Sequence, residues 1–95
     1  MAVAVVLEFD GTTLEQYDQV LEKMGLEPQG PGPQGALFHW VTATNGGIRV
    51  TDVWESAEAF EAFSEEEIGP KTAEVGVPGP PTVTMYEVHN YLTAP

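Results

Sequence analysis

The chain contains no cysteine, which excludes disulfides, thiolate metal sites and a cysteine nucleophile together. Basic residues are nearly as scarce: three Lys and Arg stand against fifteen Asp and Glu, for a formal net charge of -12. A polyanion such as duplex nucleic acid or an anionic membrane surface would be repelled by that balance, and no basic patch offsets it. No apolar run approaches the roughly 20 residues that a membrane-spanning helix requires. The stretch Met1-Ala-Val-Ala-Val-Val-Leu-Glu-Phe9 has no basic start and carries Glu8 early, so it reads as a strand and not as a signal peptide. Serine nucleophiles find no support either, because Ser56 reads as a helix cap and Ser64 as a surface helix residue. The glycines between 30 and 35 alternate with prolines, which lack the N–H donors of a phosphate cradle. A single domain over 1–95 in the cytoplasm, with no nucleic acid and no membrane as partner, is the expectation.

What is present is a clear order of elements. Val3 to Phe9 is a near-continuous apolar run, as in a central strand. Thr12 with Glu15 forms a capping-box pattern that opens a helix carrying Leu14, Tyr17, Val20, Leu21 and Met24 on one side. Gly25 supplies its left-handed stop. The Pro- and Gly-rich segment from Glu27 to Gly35 is a loop, and a loop of this length either borders a pocket or serves as a plain connector. Ala36–Thr44 and Ile48–Glu55 flank Asn45-Gly46-Gly47, a strong hairpin signal. Ser56 caps a second helix bearing Phe60 and Phe63; Ile68-Gly69-Pro70 interrupts it, with a short restart to Glu74. Thr82 to Leu92 reads as one long last strand. The order is βαββαβ.

A two-residue turn makes directly paired hairpin positions sum to an odd number. One face then carries Leu37, His39, Val41 and Ala43 with Ile48, Val50, Asp52 and Trp54; the other carries Phe38, Trp40 and Thr42 with Arg49, Thr51, Val53 and Glu55. If the turn centres on Asn45-Gly46, His39 lies directly across from Asp52. Both faces are partly apolar, so both need cover. Two helices cover one, and a second copy of the chain is expected on the other, burying Phe38, Trp40 and Val53.

His39 opposite Asp52 and beside Trp54 is the constellation with chemical potential, since a carboxylate orients an imidazole as a base or hydrogen-bonding clamp. The same pair also reads as two polar groups satisfying each other in a mixed core. His89, in Tyr86-Glu-Val-His-Asn-Tyr91, is the second histidine; its spacing matches no metal motif.

The segment Asp52-Val-Trp-Glu-Ser-Ala-Glu-Ala-Phe-Glu-Ala-Phe63 resembles the strand-to-helix signature of the dimeric α/β-barrel superfamily, and within it the antibiotic-biosynthesis-monooxygenase-like group. The resemblance implies an α+β, ferredoxin-like fold: a four-stranded antiparallel sheet with two helices on one face, pairing sheet to sheet as a homodimer. It implies a small-molecule pocket between sheet and helices in each subunit. Some members oxygenate electron-rich aromatic molecules without metal or flavin, so no cofactor is implied. On that reading His39 takes a proton, Asp52 orients it, Trp54 with Tyr17 holds an aromatic or polyketide-like ring, and Phe60 and His89 complete the substrate contacts. Heme-degrading relatives place a histidine in the second helix where Phe63-Ser64 stands, and an asparagine on the first strand, where Val3 to Phe9 has none. Heme degradation is therefore not expected. The alternative is a ligand-binding or accessory dimer that catalyses nothing.

Overall fold

A computed structural model describes all residues from 1 to 95. Strand β1 (Val3–Asp10) leads to helix α1 (Leu14–Met24), then to the hairpin β2 (Ala36–Thr44) and β3 (Gly47–Trp54). Helix α2 (Ala57–Phe63), a π turn (Ser64–Ile68) and helix α3 (Gly69–Val75) follow, before β4 (Thr82–Glu87). The four strands form one antiparallel sheet in the order β2-β3-β1-β4. This is the ferredoxin-like βαββαβ arrangement.

The hairpin has the register that Asn45-Gly46 dictates, with Thr44 opposite Gly47 and His39 opposite Asp52. At its far end Ala36, not Leu37, pairs with Trp54, because Leu37 is the extra residue of a bulge. Leu37 thus leaves the alternation expected of it. Gly47 opens β3 where the chain has no room for a side chain: a Cβ there would stand 2.1 Å from the Phe9 carbonyl oxygen.

Two adjacent threonines compete to start α1, each with a suitable partner three residues on. Thr13 wins. Its hydroxyl accepts from the Gln16 N–H while the Gln16 side chain accepts from the Thr13 N–H. Thr12, expected as the cap, is buried instead. Gly25 ends the helix at φ 77°.

Helical backbone is unbroken from Ala57 to Val75, in place of the expected interruption at Ile68-Gly69-Pro70. Pro70 has no N–H to return to the preceding turn, and the widened π turn before it absorbs that missing bond. Ser56 caps α2 as the sequence indicates, accepting from the Ala59 N–H at 3.1 Å.

The last strand is shorter than its composition suggests. It ends at Glu87, opposite Val3, and one further bond runs from the Val88 N–H to the Ala2 carbonyl. No further backbone bond to β1 follows. His89 and Tyr91 are therefore outside the sheet.

The core lies on the inner face. Val5, Leu7 and Phe9 from β1 meet Ile48, Val50 and Trp54 from β3, with Phe60 from α2 laid across them. Each such side chain contributes about 1.5–3 kcal/mol of burial. Helix α1 adds only Val20 to the buried set and packs chiefly against α3. The space between α1 and the sheet is open. On the outer face Phe38, Trp40 and Tyr86 are 60%, 48% and 57% exposed. No helix is long and apolar enough to cross a membrane.

Candidate functional site

A cavity of about 620 Å³ fills the gap beneath α1. The sheet supplies Leu7, Val41 and Val50 to its wall, α1 supplies Tyr17 and Leu21, and the second helical segment supplies Phe63 and Ile68. The loop from Leu26 to Pro33 forms one rim, so the Pro- and Gly-rich segment does border a pocket. Its prolines hold that rim without needing the backbone hydrogen bonds of a regular element.

Four polar side chains form a single hydrogen-bonded line along this wall. The register of β2 and β3 brings His39 Nδ1 to 2.6 Å from Asp52 Oδ1. Strand alternation puts Trp54 on the same face as Asp52, and its indole N–H donates to Asp52 Oδ2 at 3.0 Å. From across the cavity the Tyr17 hydroxyl meets His39 Nε2. The Tyr17 and His39 rings lie nearly parallel, 8° apart with centroids 5.8 Å from each other.

The line runs from dry to wet. Asp52 is 5% exposed, while the His39 side chain retains 36% of its surface. With both carboxylate oxygens occupied by donors, Asp52 is fully satisfied, and no buried side-chain polar atom lacks a partner. An ionised carboxylate only accepts, which in a neutral imidazole assigns the His39 proton to Nδ1 and leaves Nε2 to accept from the Tyr17 O–H. Burial, and behind it the negative charges of Asp52 and then Asp18, push the Tyr17 hydroxyl up to about 12. Tyr17 thus resists becoming a tyrosinate.

The expected site residues separate into groups. His39, Asp52 and Tyr17 come together at the cavity, where the Tyr17 hydroxyl stands against His39 Nε2. Trp54 is 1% exposed and forms the inner wall. Phe60 and Phe63 pack against its ring, with centroids 5.8 Å and 5.2 Å away, so it serves as a support more than an open stacking platform. Phe60 stands behind Trp54 and does not line the cavity. His89 is exposed beyond β4, away from the site, because the strand that would have carried it ends early. The Tyr17–His39 contact was not visible in the sequence, since nothing in α1 reports how far the helix stands from the sheet.

The fold is that of the antibiotic-biosynthesis-monooxygenase-like proteins. A candidate antibiotic biosynthesis monooxygenase from Deinococcus radiodurans superposes with a TM-score of 0.62 at 14% identity, over 99% of this chain and 98% of its own. A monooxygenase from the gene ActVA-Orf6 of Streptomyces coelicolor, solved with the ligand nanaomycin D, gives 0.58 at 20% identity, over 99% and 92% of the two chains. A conserved protein from Methanosarcina mazei Go1 gives 0.57 at 15% identity, over 90% and 91%. No family model and no curated protein sequence matches the chain.

Proposed function

We propose that this protein is a cytoplasmic, homodimeric, cofactor-independent monooxygenase acting on a hydroxylated aromatic, polyketide-like molecule. The observation that carries this reading is the Tyr17–His39–Asp52 line on the wall of a mostly apolar cavity large enough for a fused-ring ligand. Two of its structural neighbours bear the name monooxygenase, one of them holding nanaomycin D.

In the proposed reaction the ligand hydroxyl gives its proton to the Tyr17 oxygen as the Tyr17 proton passes to His39 Nε2. The second transfer keeps Tyr17 neutral, as its raised pKa favours. Asp52 then stabilises the imidazolium formed at His39. The ring anion, now electron-rich, reduces dioxygen. One oxygen atom stays on the ring as a carbonyl, and the other leaves as water with the hydroxyl proton and the displaced ring hydrogen.

The small amount that the lone chain buries supports the homodimer. Only 10 of its 95 residues are buried, while Phe38, Trp40 and Tyr86 lie open on the outer sheet face. A twin packed sheet to sheet would cover them.

Oxygen uptake by the purified protein, presented with hydroxynaphthalenes and hydroxyanthracenes, tests the reading. Uptake with quinone formation, lost in His39→Ala, supports it. Saturable binding of these compounds with no uptake would instead establish a ligand-binding dimer, a reading favoured by the complete mutual satisfaction of the four polar groups.

A further inference from the structure

We propose that the cavity selects an uncharged ligand presenting an O–H donor to Tyr17, over the ether or carbonyl form of the same skeleton and over its anionic relatives. The inference rests on reading the cavity as a ligand site, and adds to it a chemical class.

The polarity of the hydrogen-bonded line carries the argument. An indole N–H can only donate, and Trp54 is fixed in the core, so Asp52 Oδ2 accepts. Asp52 Oδ1 accepts from His39 Nδ1, and Nε2 accepts from Tyr17. Each link commits the next. Tyr17 has thus spent its only hydrogen inward, and its oxygen offers the cavity lone pairs alone. A ligand hydroxyl completes the line, whereas an ether or carbonyl oxygen meets another acceptor.

Other hydroxyls on the wall do not rescue such a ligand. Thr72 Oγ1 donates to the Ile68 carbonyl at 2.6 Å, and Thr12 Oγ1 leans on the Asp10 carbonyl at 3.4 Å. Anions fare worse. No lysine or arginine lines the cavity, while Asp18, Glu27 and Asp52 do. Two of the chain's three cations are engaged elsewhere: Arg49 pairs with Glu8 and Lys71 with Glu67. No cationic side chain on the wall compensates a ligand carboxylate or phosphate for leaving water. The same polarity favours release of a product whose hydroxyl has become a carbonyl.

Calorimetric titration at mildly alkaline pH, where free imidazole is neutral, tests this with three probes: 2-naphthol, 2-methoxynaphthalene and 6-hydroxy-2-naphthoate. 2-Naphthol should bind about fivefold or more tighter than either of the others, the yield of one net hydrogen bond. In Tyr17→Phe its advantage over 2-methoxynaphthalene should shrink severalfold, since the hydroxyl oxygen is gone and only His39 Nε2, set farther back, is left to accept. Binding of the ether by the variant reports an intact fold. Equal or tighter binding of the ether or the naphthoate, or a preference undiminished in Tyr17→Phe, would overturn the inference. Absence of saturable binding by all three would overturn the ligand site itself. The preference without oxygen uptake would sink only the monooxygenase reading; oxygen uptake without the preference would sink only this one.

Discussion

Trp54 and Asp52 lie two residues apart on β3, on one face of the sheet, and the indole N–H of the first holds the carboxylate of the second at 3.0 Å. A core tryptophan thereby aims an acid. Replacing Trp54 with Phe retains most of the apolar ring but leaves Asp52 Oδ2, on a nearly buried residue, without its donor. Trp54→Phe should cost about 1–3 kcal/mol for that orphaned acceptor, read as a shift in the urea midpoint at unchanged slope.

Tyr17 should titrate late. Its hydroxyl is pushed up to about 12 from an ordinary value of 10.0, by burial first and by the charges of Asp52 and Asp18 second. The phenolate absorbance present in the wild type and missing in Tyr17→Phe should rise near that pH. Between the two values an unfolded chain has released this proton and the folded chain has not. This contribution to stability is therefore fully present below the ordinary value and declines as pH rises through the window to about 12. Tyr17 is partly exposed, so solvent screening keeps the decline small.

Gly47 should tolerate nothing larger. A Cβ at this position would lie 2.1 Å from the Phe9 oxygen and 3.1 Å from the Asp10 Cα, both backbone atoms that cannot step aside. Gly47→Ala should destabilise by about 3 kcal/mol or more, at or beyond the upper end of overpacking costs. Gly79→Ala, with no atom within 4 Å of the added carbon, is the control and should be close to neutral in thermal unfolding.

These sites differ in how plainly the sequence announces them. Asn45-Gly46 sets the hairpin register, and the register alone puts His39 against Asp52. That half of the site is local geometry, legible from turn chemistry. The other half is tertiary: Tyr17 reaches His39 because α1 stands off the sheet over a cavity, and helix periodicity says which face is apolar but not what distance separates it from a strand. The bulge at Leu37 is hidden for a similar reason, since alternation continues through it on paper. Composition extends the last strand to Leu92, whereas its pairing with β1 stops where Val3 faces Glu87. The sequence points to Thr12 as the cap through Glu15, but Thr13 has an equally suitable partner in Gln16, and the burial of Thr12 decides between them.

The outer face carries its own prediction. Trp40 is 48% exposed on the edge strand β2, on the surface expected to meet a twin. Trp40→Glu would place a carboxylate in that interface and raise a charge already at -12. Sedimentation should show the wild type as a dimer at micromolar concentration and the variant as a folded monomer. A wild type that sediments as a monomer would contradict the proposed assembly.

The central claim is that Tyr17, His39 and Asp52 are lined up for a ligand and not for the fold, and His39→Ala tests it most directly when stability and oxygen uptake are measured on the same preparation. The account predicts that uptake with a hydroxyaromatic substrate is lost while unfolding free energy changes by no more than about 1–2 kcal/mol, the imidazole being partly exposed and most of its loss being made good by water. A variant that retains full uptake, or one that unfolds while its ligand chemistry survives in the remaining folded fraction, would contradict it.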